Sequence, residues 1–245
     1  MRLDDLEDRV VAVTGGNSGM GYAIALAFAT CGAKVIVADL AAELTAAPET
    51  PVDLQYRQTD VSKPQQVRAL IEFATARYGR LDVLVNNAGI SGPWLPLSEQ
   101  TEATMDAVFG VNLKGVLYGL KYGLAEMMKH RSGVIINIAS VQAIRPIYAG
   151  ASLYAASKAA VVSLTRSAAH EYGQYGIRVV AVAPGPVDTP MLRAADPQGT
   201  IVEAVPLHRI GAPAEIANAV LWLASDAASY VSGSLLTVDG AFLAA

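Results

Sequence analysis

The chain has 245 residues and a hydrophobic content of 53%, enough to bury the core of one α/β domain. Charged residues make up only 16%, and the formal net charge is −4 at pH 7. This composition argues against a nucleic-acid binder or a basic membrane-surface protein, because both use clustered positive charge. The single cysteine, Cys31, allows neither an intrachain disulfide nor a thiolate metal cluster. We therefore expect small-molecule chemistry in which a cofactor supplies any redox step.

The amino-terminal segment is acidic and lacks the basic tip and apolar run of a secretory signal. The most apolar early stretch, residues 22–33, is shorter than the roughly 20 apolar residues that a membrane span needs. Both observations predict a cytoplasmic protein.

Apolar runs of strand length alternate with helix-length stretches along the chain. These runs lack polar alternation, which is typical of a parallel sheet covered by helices on both faces. The pattern predicts one doubly wound α/β domain of Rossmann type over residues 1–245. The predicted strands are 10–14, 34–39, 54–58, 82–86, 133–139, 177–183 and 234–238.

Two irregular stretches interrupt this alternation. We interpret residues 41–51, rich in Pro, Ala and Thr, as a shortened helix plus loop between strands two and three. Residues 184–206 carry five prolines after the sixth strand, and they are too long for an ordinary strand-to-helix turn. Ligands of open α/β sheets bind beyond the carboxyl ends of the strands, so we predict a substrate lid at about 186–206.

A glycine-rich turn follows the first predicted strand and precedes a helix. Glycines let the backbone approach a pyrophosphate, and the start of a helix attracts the anion. A tight turn without a ligand would use glycines as well, so the motif needs support from other features. The turn residues that we expect to bind a dinucleotide are Gly15, Asn17, Ser18, Gly19, Met20 and Gly21.

Asp39 ends the second predicted strand, where an acidic side chain can accept hydrogen bonds from an adenosine ribose. Its charge would repel a 2′-phosphate. The glycine turn contains no Lys or Arg, and Leu40 follows Asp39, so the usual cationic partner of NADP is missing. We therefore expect NAD as the cofactor. Alternatively, Asp39 caps a short helix that starts near Ala41.

Tyr154 and Lys158 are four residues apart in a segment rich in helix formers, so they share one helical face. A tyrosine with its ordinary pKa of about 10 is a poor base, but a neighbouring ammonium group favours the phenolate. Such a pair can take a proton from an alcohol while a hydride leaves its carbon, or act in reverse. The spacing alone is common on ordinary helix surfaces.

Six motifs, in order along nearly the whole chain, resemble those of the short-chain dehydrogenase/reductase family. They are residues 14–21, Asn86-Asn87-Ala88-Gly89, Asn112, Ser140, Tyr154 with Lys158, and Pro184-Gly185. The resemblance implies that the Ser140 hydroxyl holds the substrate oxygen and Tyr154 exchanges the proton. It also implies that Lys158 lowers the tyrosine pKa and binds the nicotinamide ribose, while Asn112 holds a water in a proton relay.

The same resemblance implies further cofactor contacts. Asp60 and Val61 would contact adenine, and Asn87, with Ala88 and Gly89, would lie on the adenosine side. Pro184 and Gly185 would form the turn beside the nicotinamide. Val187 and Thr189 would contact its carboxamide. The segment from Ser140 to Tyr154 is one residue longer than is commonest in the family, which leaves the geometry of that loop open.

The loops at the strand ends supply a mainly apolar set of candidate pocket residues with one amide, which suits an uncharged or aromatic ketone or alcohol. Arg145 and Arg193 lie in the same loops and would suit a carboxylate, although loop arginines are usually solvated. The candidate pocket residues are Trp94, Gln142, Ile147, Tyr148, Val187, Met191 and Leu192. The expected substrate contacts are Ser140, Gln142, Tyr148, Tyr154 and Met191.

Other functions fit the sequence less well. A serine hydrolase needs a Gly-x-Ser-x-Gly elbow, which is absent. His130, His170 and His208 lack metal-ligand spacing, so we predict no metal site. A non-catalytic NAD sensor would have lost the catalytic side chains. A 3-oxoacyl-carrier-protein reductase is the alternative enzyme, but such enzymes generally prefer NADP and need a basic surface for the acidic carrier.

We also expect a homo-oligomer, most simply a tetramer, built through the helices around residues 113–128 and 153–172. Small or apolar side chains surround much of the second helix, so it needs cover on two sides. The alternative is that both faces pack within one subunit. An apolar carboxyl-terminal tail, residues 238–245, would supply a second interface. The small or apolar residues of the second helix are Ala155, Ala156, Ala159, Val162, Ser163 and Ala169.

Overall fold

The computed structural model describes residues 4–45 and 52–244. Within these ranges seven parallel strands form one sheet in the order β3-β2-β1-β4-β5-β6-β7. This arrangement confirms the predicted doubly wound α/β fold. The strands are β1 (Val10–Thr14), β2 (Lys34–Asp39), β3 (Leu54–Gln58), β4 (Val83–Asn86), β5 (Gly133–Ile138), β6 (Ile177–Pro184) and β7 (Leu235–Val238).

Helices cover both faces of the sheet. The first and last helices lie on one face, and the second, fourth and fifth lie on the other. The third helix runs through a wide π-helical turn, Gly110–Lys114, directly into the fourth. The helices are α1 (Gly19–Thr30), α2 (Pro64–Tyr78), α3 (Glu102–Phe109), α4 (Gly115–His130), α5 (Ser152–Tyr172), α6 (Pro190–Ala195) and α7 (Pro213–Ala224).

The central strands are buried on both faces, which explains their unbroken apolar sequences. In β1, Val11 and Val13 pack beneath α1 and α7, whereas Val10 and Ala12 pack beneath α2 and α4. Each valine buried in this way contributes roughly 1.5–3 kcal/mol to folding. A polar residue at any of these positions would lack a hydrogen-bond partner, so the strands are apolar throughout.

Two connections differ from their predicted forms. Residues 41–45 contain no helix, so Asp39 caps none there, and residues 46–51 lie outside the described part of the chain. The predicted lid contains more regular secondary structure than its prolines suggest. It contains α6, a short 3₁₀ turn at Thr200–Ala204, and a strand-like bridge between Val187 and Gly211.

None of the helices in residues 4–45 and 52–244 is long and apolar enough to cross a membrane. The strand order reverses between β1 and β4, because β1 has β2 on one side and β4 on the other. The connections that leave these two strands diverge to opposite faces and open a crevice at the carboxyl edge of the sheet. The site residues collect at this edge.

Candidate active site

A cavity of about 360 Å³ lies in the crevice beyond β1 and β4. Most of the residues predicted to bind a dinucleotide line it: Gly15, Ser18, Gly19, Met20, Gly21, Asp39, Asp60, Val61, Asn87, Ala88, Gly89, Tyr154, Lys158 and Thr189. The wall also includes residues that sequence reasoning missed, namely Leu40, Thr59, Ile90, Val111, Ile138, Ala139 and Pro190, together with the predicted substrate contact Met191.

The glycine turn exposes backbone to this cavity. Gly21 lies so close to the turn that a Cβ there would overlap the Gly15 carbonyl oxygen. The Asn87 amide donates to the carbonyls of Thr14 at 2.9 Å and Gly15 at 3.0 Å, so it holds the turn against the end of β4. Ser18 precedes α1 without a side-chain capping bond. The start of this helix therefore stays open to an anion, which fits a dinucleotide pyrophosphate.

Asp39, the last residue of β2, lines the cavity. One carboxylate oxygen accepts from the Asn17 backbone N–H at 3.0 Å, and the other lies 3.4 Å from the Ala41 nitrogen. The nearby Arg57 stacks its guanidinium 5.3 Å from the centre of the Phe73 ring. None of the ion pairs among residues 4–45 and 52–244 involves Asp39, and a carboxylate without a cationic partner fits a ribose hydroxyl better than a phosphate.

Asn17, which we expect to contact the dinucleotide, is not among the residues that line the cavity, and its side chain is bonded elsewhere. Its side chain is nearly buried and donates to the Glu43 carbonyl at 3.0 Å. Its amide oxygen accepts from the Thr45 backbone N–H at 2.9 Å. Asn17 therefore braces the connection after β2, and its backbone N–H holds Asp39. The glycine spacing does not show whether the side chain at position 17 faces the cavity or bonds to the neighbouring connection.

Ser140, Tyr154 and Lys158 lie together at the carboxyl end of β5. Ser140 follows β5, and its Oγ accepts from the Gln142 backbone N–H at 3.2 Å. Tyr154 and Lys158 lie one turn apart on α5, which places the Lys158 ammonium 5.7 Å from the centre of the Tyr154 ring. The Lys158 ammonium is buried and donates to the Ile138 carbonyl at 2.7 Å. The three predicted catalytic side chains are thus brought together.

The two titratable groups respond mainly to burial. Burial lowers the pKa of Lys158 to about 8. Burial also raises the pKa of the Tyr154 phenol, while a hydrogen bond with Ser140 lowers it. The net effect raises the pKa of Tyr154, because desolvation by burial is larger than the effect of the hydrogen bond with Ser140. In this state Tyr154 is a neutral phenol, the form that donates a proton to a ketone.

Asn112 connects the loop after β4 to α5 from within the π-helical turn. Its fully buried amide accepts from the Ile90 backbone N–H at 2.8 Å and donates to the Ile90 carbonyl at 2.9 Å. It also donates to Ser157 Oγ at 3.0 Å, and Ser157 in turn donates to the Tyr154 carbonyl at 2.7 Å. Because the amide is used in this way, a water relay at Asn112 would have to use its backbone carbonyl.

A second cavity of about 110 Å³ adjoins the first and shares Tyr154 with it. Ile147 lies outside it, packed with Val141 and Phe242. None of the described residues that line it is charged, and Arg145 is not among them. Arg193 is exposed and makes a two-pronged ion pair with Asp188 at 2.7 and 2.9 Å. The predicted residues that do line it are Trp94, Ser140, Gln142, Tyr148, Pro184, Gly185, Val187, Thr189, Met191 and Leu192.

The structure adds positioning residues that sequence reasoning did not identify. Ser157 carried a usable signal, because it lies three residues after Tyr154 and next to Lys158 on one helix. The role of the Ile138 carbonyl could not be predicted, because every residue has a backbone carbonyl and the sequence does not distinguish this one. No group of three or more His, Cys, Asp or Glu side chains within residues 4–45 and 52–244 is arranged to hold a metal ion.

Comparisons with known proteins agree with this geometry. A family model described as "Enoyl-(Acyl carrier protein) reductase" matches residues 15–242. Levodione reductase of Leifsonia aquatica is 42% identical over 95% of this chain and 93% of that protein. Cis-4-hydroxycyclohexanecarboxylate dehydrogenase of Sinomonas cyclohexanicum is 42% identical over 97% of both.

The 3-oxoacyl-[acyl-carrier-protein] reductase of Thermotoga maritima is 40% identical over 96% of this chain and 98% of that protein. Among solved structures, a levodione reductase matches with a TM-score of 0.91 and 41% identity over 98% of this chain and 99% of the other. The chain therefore belongs to the short-chain dehydrogenase/reductase family and is an oxidoreductase of the kind that interconverts alcohols and ketones.

Proposed function

We propose that this oxidoreductase uses NAD to interconvert a compact, uncharged secondary alcohol and its ketone. One observation carries the proposal: Tyr154 lines both the large cavity, which includes the glycine turn, Asp39 and Lys158, and a small cavity that includes Ser140 and is lined by uncharged residues. The smaller cavity has a volume of about 110 Å³, which favours a compact substrate over a long acyl chain.

The chain's own residues supply binding and proton transfer. A bound nicotinamide would supply the hydride acceptor or donor. In the reductive direction Ser140 donates a hydrogen bond to the substrate carbonyl oxygen, and Tyr154 gives that oxygen its proton. Lys158 stabilises the phenolate that remains and binds the ribose hydroxyls. Asn112 is a positioning residue, because it holds α5 and the Ile90 backbone at a fixed separation.

The names of the relatives support a six-membered-ring substrate. Levodione reductase and cis-4-hydroxycyclohexanecarboxylate dehydrogenase both take their names from ring compounds with an oxygen function. A 3-oxoacyl-carrier-protein reductase is the second candidate, because one such enzyme is 40% identical. The carboxylate of Asp39 and the net charge of −4 favour the first, since an acidic carrier protein is repelled by an acidic surface. A non-catalytic NAD sensor would not need all four catalytic side chains.

The proposal extends to the remaining cofactor contacts and the lid. Asp60 and Val61 line the large cavity, and we assign them to the adenine, as the family pattern suggests. Val187, Pro184 and Gly185 line the small cavity and are assigned to the nicotinamide side of it. In this single-domain enzyme, residues 186–206 act as the lid, because their α6 contributes Met191 and Leu192 to the small cavity.

We also propose a homotetramer. On α5, Ala156, Ala159 and Ser163 are exposed, as the interface requires. Ala155 and Val162 are buried within the subunit instead, so only part of the predicted face is free. The carboxyl-terminal tail gives less support to a second interface, because Phe242 is buried against Val141 and Val205 of its own subunit.

Initial rates with both cofactors test the function. Substituted cyclohexanones and cyclohexanols, acetoacetyl thioesters and simple open-chain ketones should each be assayed with NAD(H) and NADP(H). We expect turnover of ring substrates with NAD(H). Preferential turnover of the acetoacetyl thioester with NADPH would instead favour the carrier-protein reductase, and no turnover of any compound would contradict both candidates.

The Asp39→Ser variant tests the cofactor assignment. Removing the carboxylate removes the repulsion of a 2′-phosphate, so the ratio of kcat/KM for NAD to that for NADP should fall by at least about tenfold. Asp53→Ser is the matched control, because Asp53 is exposed before β3 and lies outside the cavity-lining set. A wild-type enzyme that uses both cofactors equally would show that Asp39 does not set the preference.

A further inference from the structure

Two buried polar atoms in the wall of the small cavity lack hydrogen-bond partners among the described residues. They are Gln142 Oε1 and Tyr148 Oη. The Gln142 side chain is only 6% exposed. A buried polar group left unpaired costs roughly 1–3 kcal/mol, and most such groups in native proteins are paired. Both atoms belong to side chains that line the same cavity, so a ligand in that cavity can supply both missing bonds.

The two side chains are held in place by their surroundings. The backbone of Gln142 is held by its N–H group, which donates to Ser140 Oγ. The Tyr148 ring lies 5.1 Å from the Trp94 ring, centre to centre, and packs beside Val141 and Phe242. Gly150, at φ +84°, brings the same loop against the Trp94 backbone, where a Cβ would lie 2.8 Å away. The longer loop before Tyr154 therefore builds a defined wall.

The chemistry of the two atoms is complementary. Burial raises the pKa of Tyr148 to about 12, so its hydroxyl stays protonated and donates. The Gln142 amide oxygen accepts. A hydroxyl group can accept from the first and donate to the second, whereas a carbonyl can only accept. The uncharged wall offers no partner for a carboxylate, and Arg193 is held by Asp188.

We propose that the substrate carries a second, uncharged oxygen function, preferably a hydroxyl, which binds Tyr148 and Gln142 while the reacting oxygen binds Ser140 and Tyr154. The preferred substrates are thus hydroxyketones and the diols from which they form. The inference rests on the proposed function and narrows its substrate class. Tyr148 and Gln142 become specificity residues for the group that does not react.

A substrate series measures the effect. The wild-type enzyme with NADH should be assayed on 4-hydroxycyclohexanone, cyclohexane-1,4-dione, cyclohexanone and 4-oxocyclohexanecarboxylate. We expect kcat/KM for the hydroxyketone to exceed that for cyclohexanone by about tenfold or more, since each net hydrogen bond contributes about 0.5–1.5 kcal/mol. The dione should lie between them, and the carboxylate should be the poorest.

Variants assign the preference to its residues. Tyr148→Phe and Gln142→Met should each lower the hydroxyketone-to-cyclohexanone ratio by about three- to tenfold, chiefly through KM. Because each removes an unpaired buried atom, the midpoint of thermal unfolding should stay the same or rise. Tyr230→Phe and Gln174→Met are matched controls at exposed positions and should leave the ratio unchanged.

Different outcomes would contradict the second-oxygen site and the proposed function. Equal wild-type rates on all three uncharged ketones, or a ratio unchanged in both variants, would overturn the second-oxygen site and leave the proposed function intact. A lower unfolding midpoint in both variants, with the ratio unchanged, would assign the two side chains to structure alone. Turnover of none of the four ketones would overturn the proposed function and this inference with it.

Discussion

Tyr154 must meet two requirements that oppose each other. It must be buried enough to exclude water from the reacting oxygen, and it must still exchange a proton. The structure meets the second demand with Ser140, whose hydrogen bond lowers the pKa that burial raises. Sequence reasoning identified the tyrosine and the lysine but not the opposing effect of burial on the tyrosine pKa, because the degree of burial depends on tertiary packing.

Removing the Tyr154 hydroxyl tests its role. Tyr154→Phe keeps the ring, so packing and dissociation constants for NAD should stay near wild type. The loss of the proton donor should lower kcat by about 100-fold or more. Steady-state kinetics combined with a fluorescence titration of NADH distinguishes the two effects. A variant with full turnover would show that another group transfers the proton.

Lys158 should reduce the stability of the unliganded protein at neutral pH. Its pKa is about 8 when folded, below the ordinary value of 10.5, so the unfolded chain binds more protons between these values. The penalty is complete below pH 8, falls as the pH rises, and disappears above about 10.5. A shift of this size corresponds to at most about 3 kcal/mol.

Lys158→Met should therefore unfold at higher denaturant concentration than the wild type at pH 7, while losing activity. The difference in unfolding free energy should shrink as the pH is raised from 8 to 10. Urea unfolding at several pH values measures it. A variant that is less stable than wild type at pH 7 would show that the bond to the Ile138 carbonyl outweighs desolvation.

The turn before α1 depends on the close approach of Gly21 to the Gly15 carbonyl oxygen. A methyl group on Gly21 would overlap the Gly15 carbonyl, and this backbone oxygen cannot move without opening the turn. Gly21→Ala should therefore destabilise the protein by about 1–3 kcal/mol and weaken NADH binding.

Gly173 provides the matched control for this change. It has helical angles after α5, and no atom lies within 4 Å of a Cβ built there. Gly173→Ala should stabilise the protein by about 0.4–1 kcal/mol with no change in binding. Chemical unfolding and NADH titration of both variants provide the comparison. Equal effects at the two positions would contradict the role given to the close approach.

Elements that are determined by residues close together in the sequence were predicted, and those that depend on distant residues were not. The strand β1 was predicted to the residue, because burial on both faces demands an unbroken apolar run. The π-helical turn at Gly110–Lys114 was not predicted, because the amide of Asn112 stabilises it by reaching Ile90 and Ser157, which are distant in sequence. The bonds of the Asn17 side chain were not predicted for the same reason, since its partners Glu43 and Thr45 lie in a later connection.

At the scale of the whole molecule, the exposed small residues of α5 predict assembly. Ala159→Arg places a long charged side chain in the proposed interface and should convert the proposed tetramer to smaller species. Ala76→Arg, on the exposed face of α2, is the control and should leave the mass unchanged. Light scattering during size-exclusion chromatography measures both variants. A wild-type mass near the 25.6 kDa of one subunit would contradict the assembly itself.

The parallel sheet also separates the two ends of every strand. Cys31, the only cysteine, follows α1 at the amino end of β2, whereas Asp39 lies at the carboxyl end of that strand. A six-residue strand spans about 20 Å, so a dye or spin label on this thiol would sit that far from the cofactor cavity. Burial and the charge of Asp5 raise the pKa of the thiol, so labelling should proceed faster as the pH is raised. The wild-type chain thus offers a single attachment point for distance measurements or immobilisation, on the edge of the sheet opposite the chemistry.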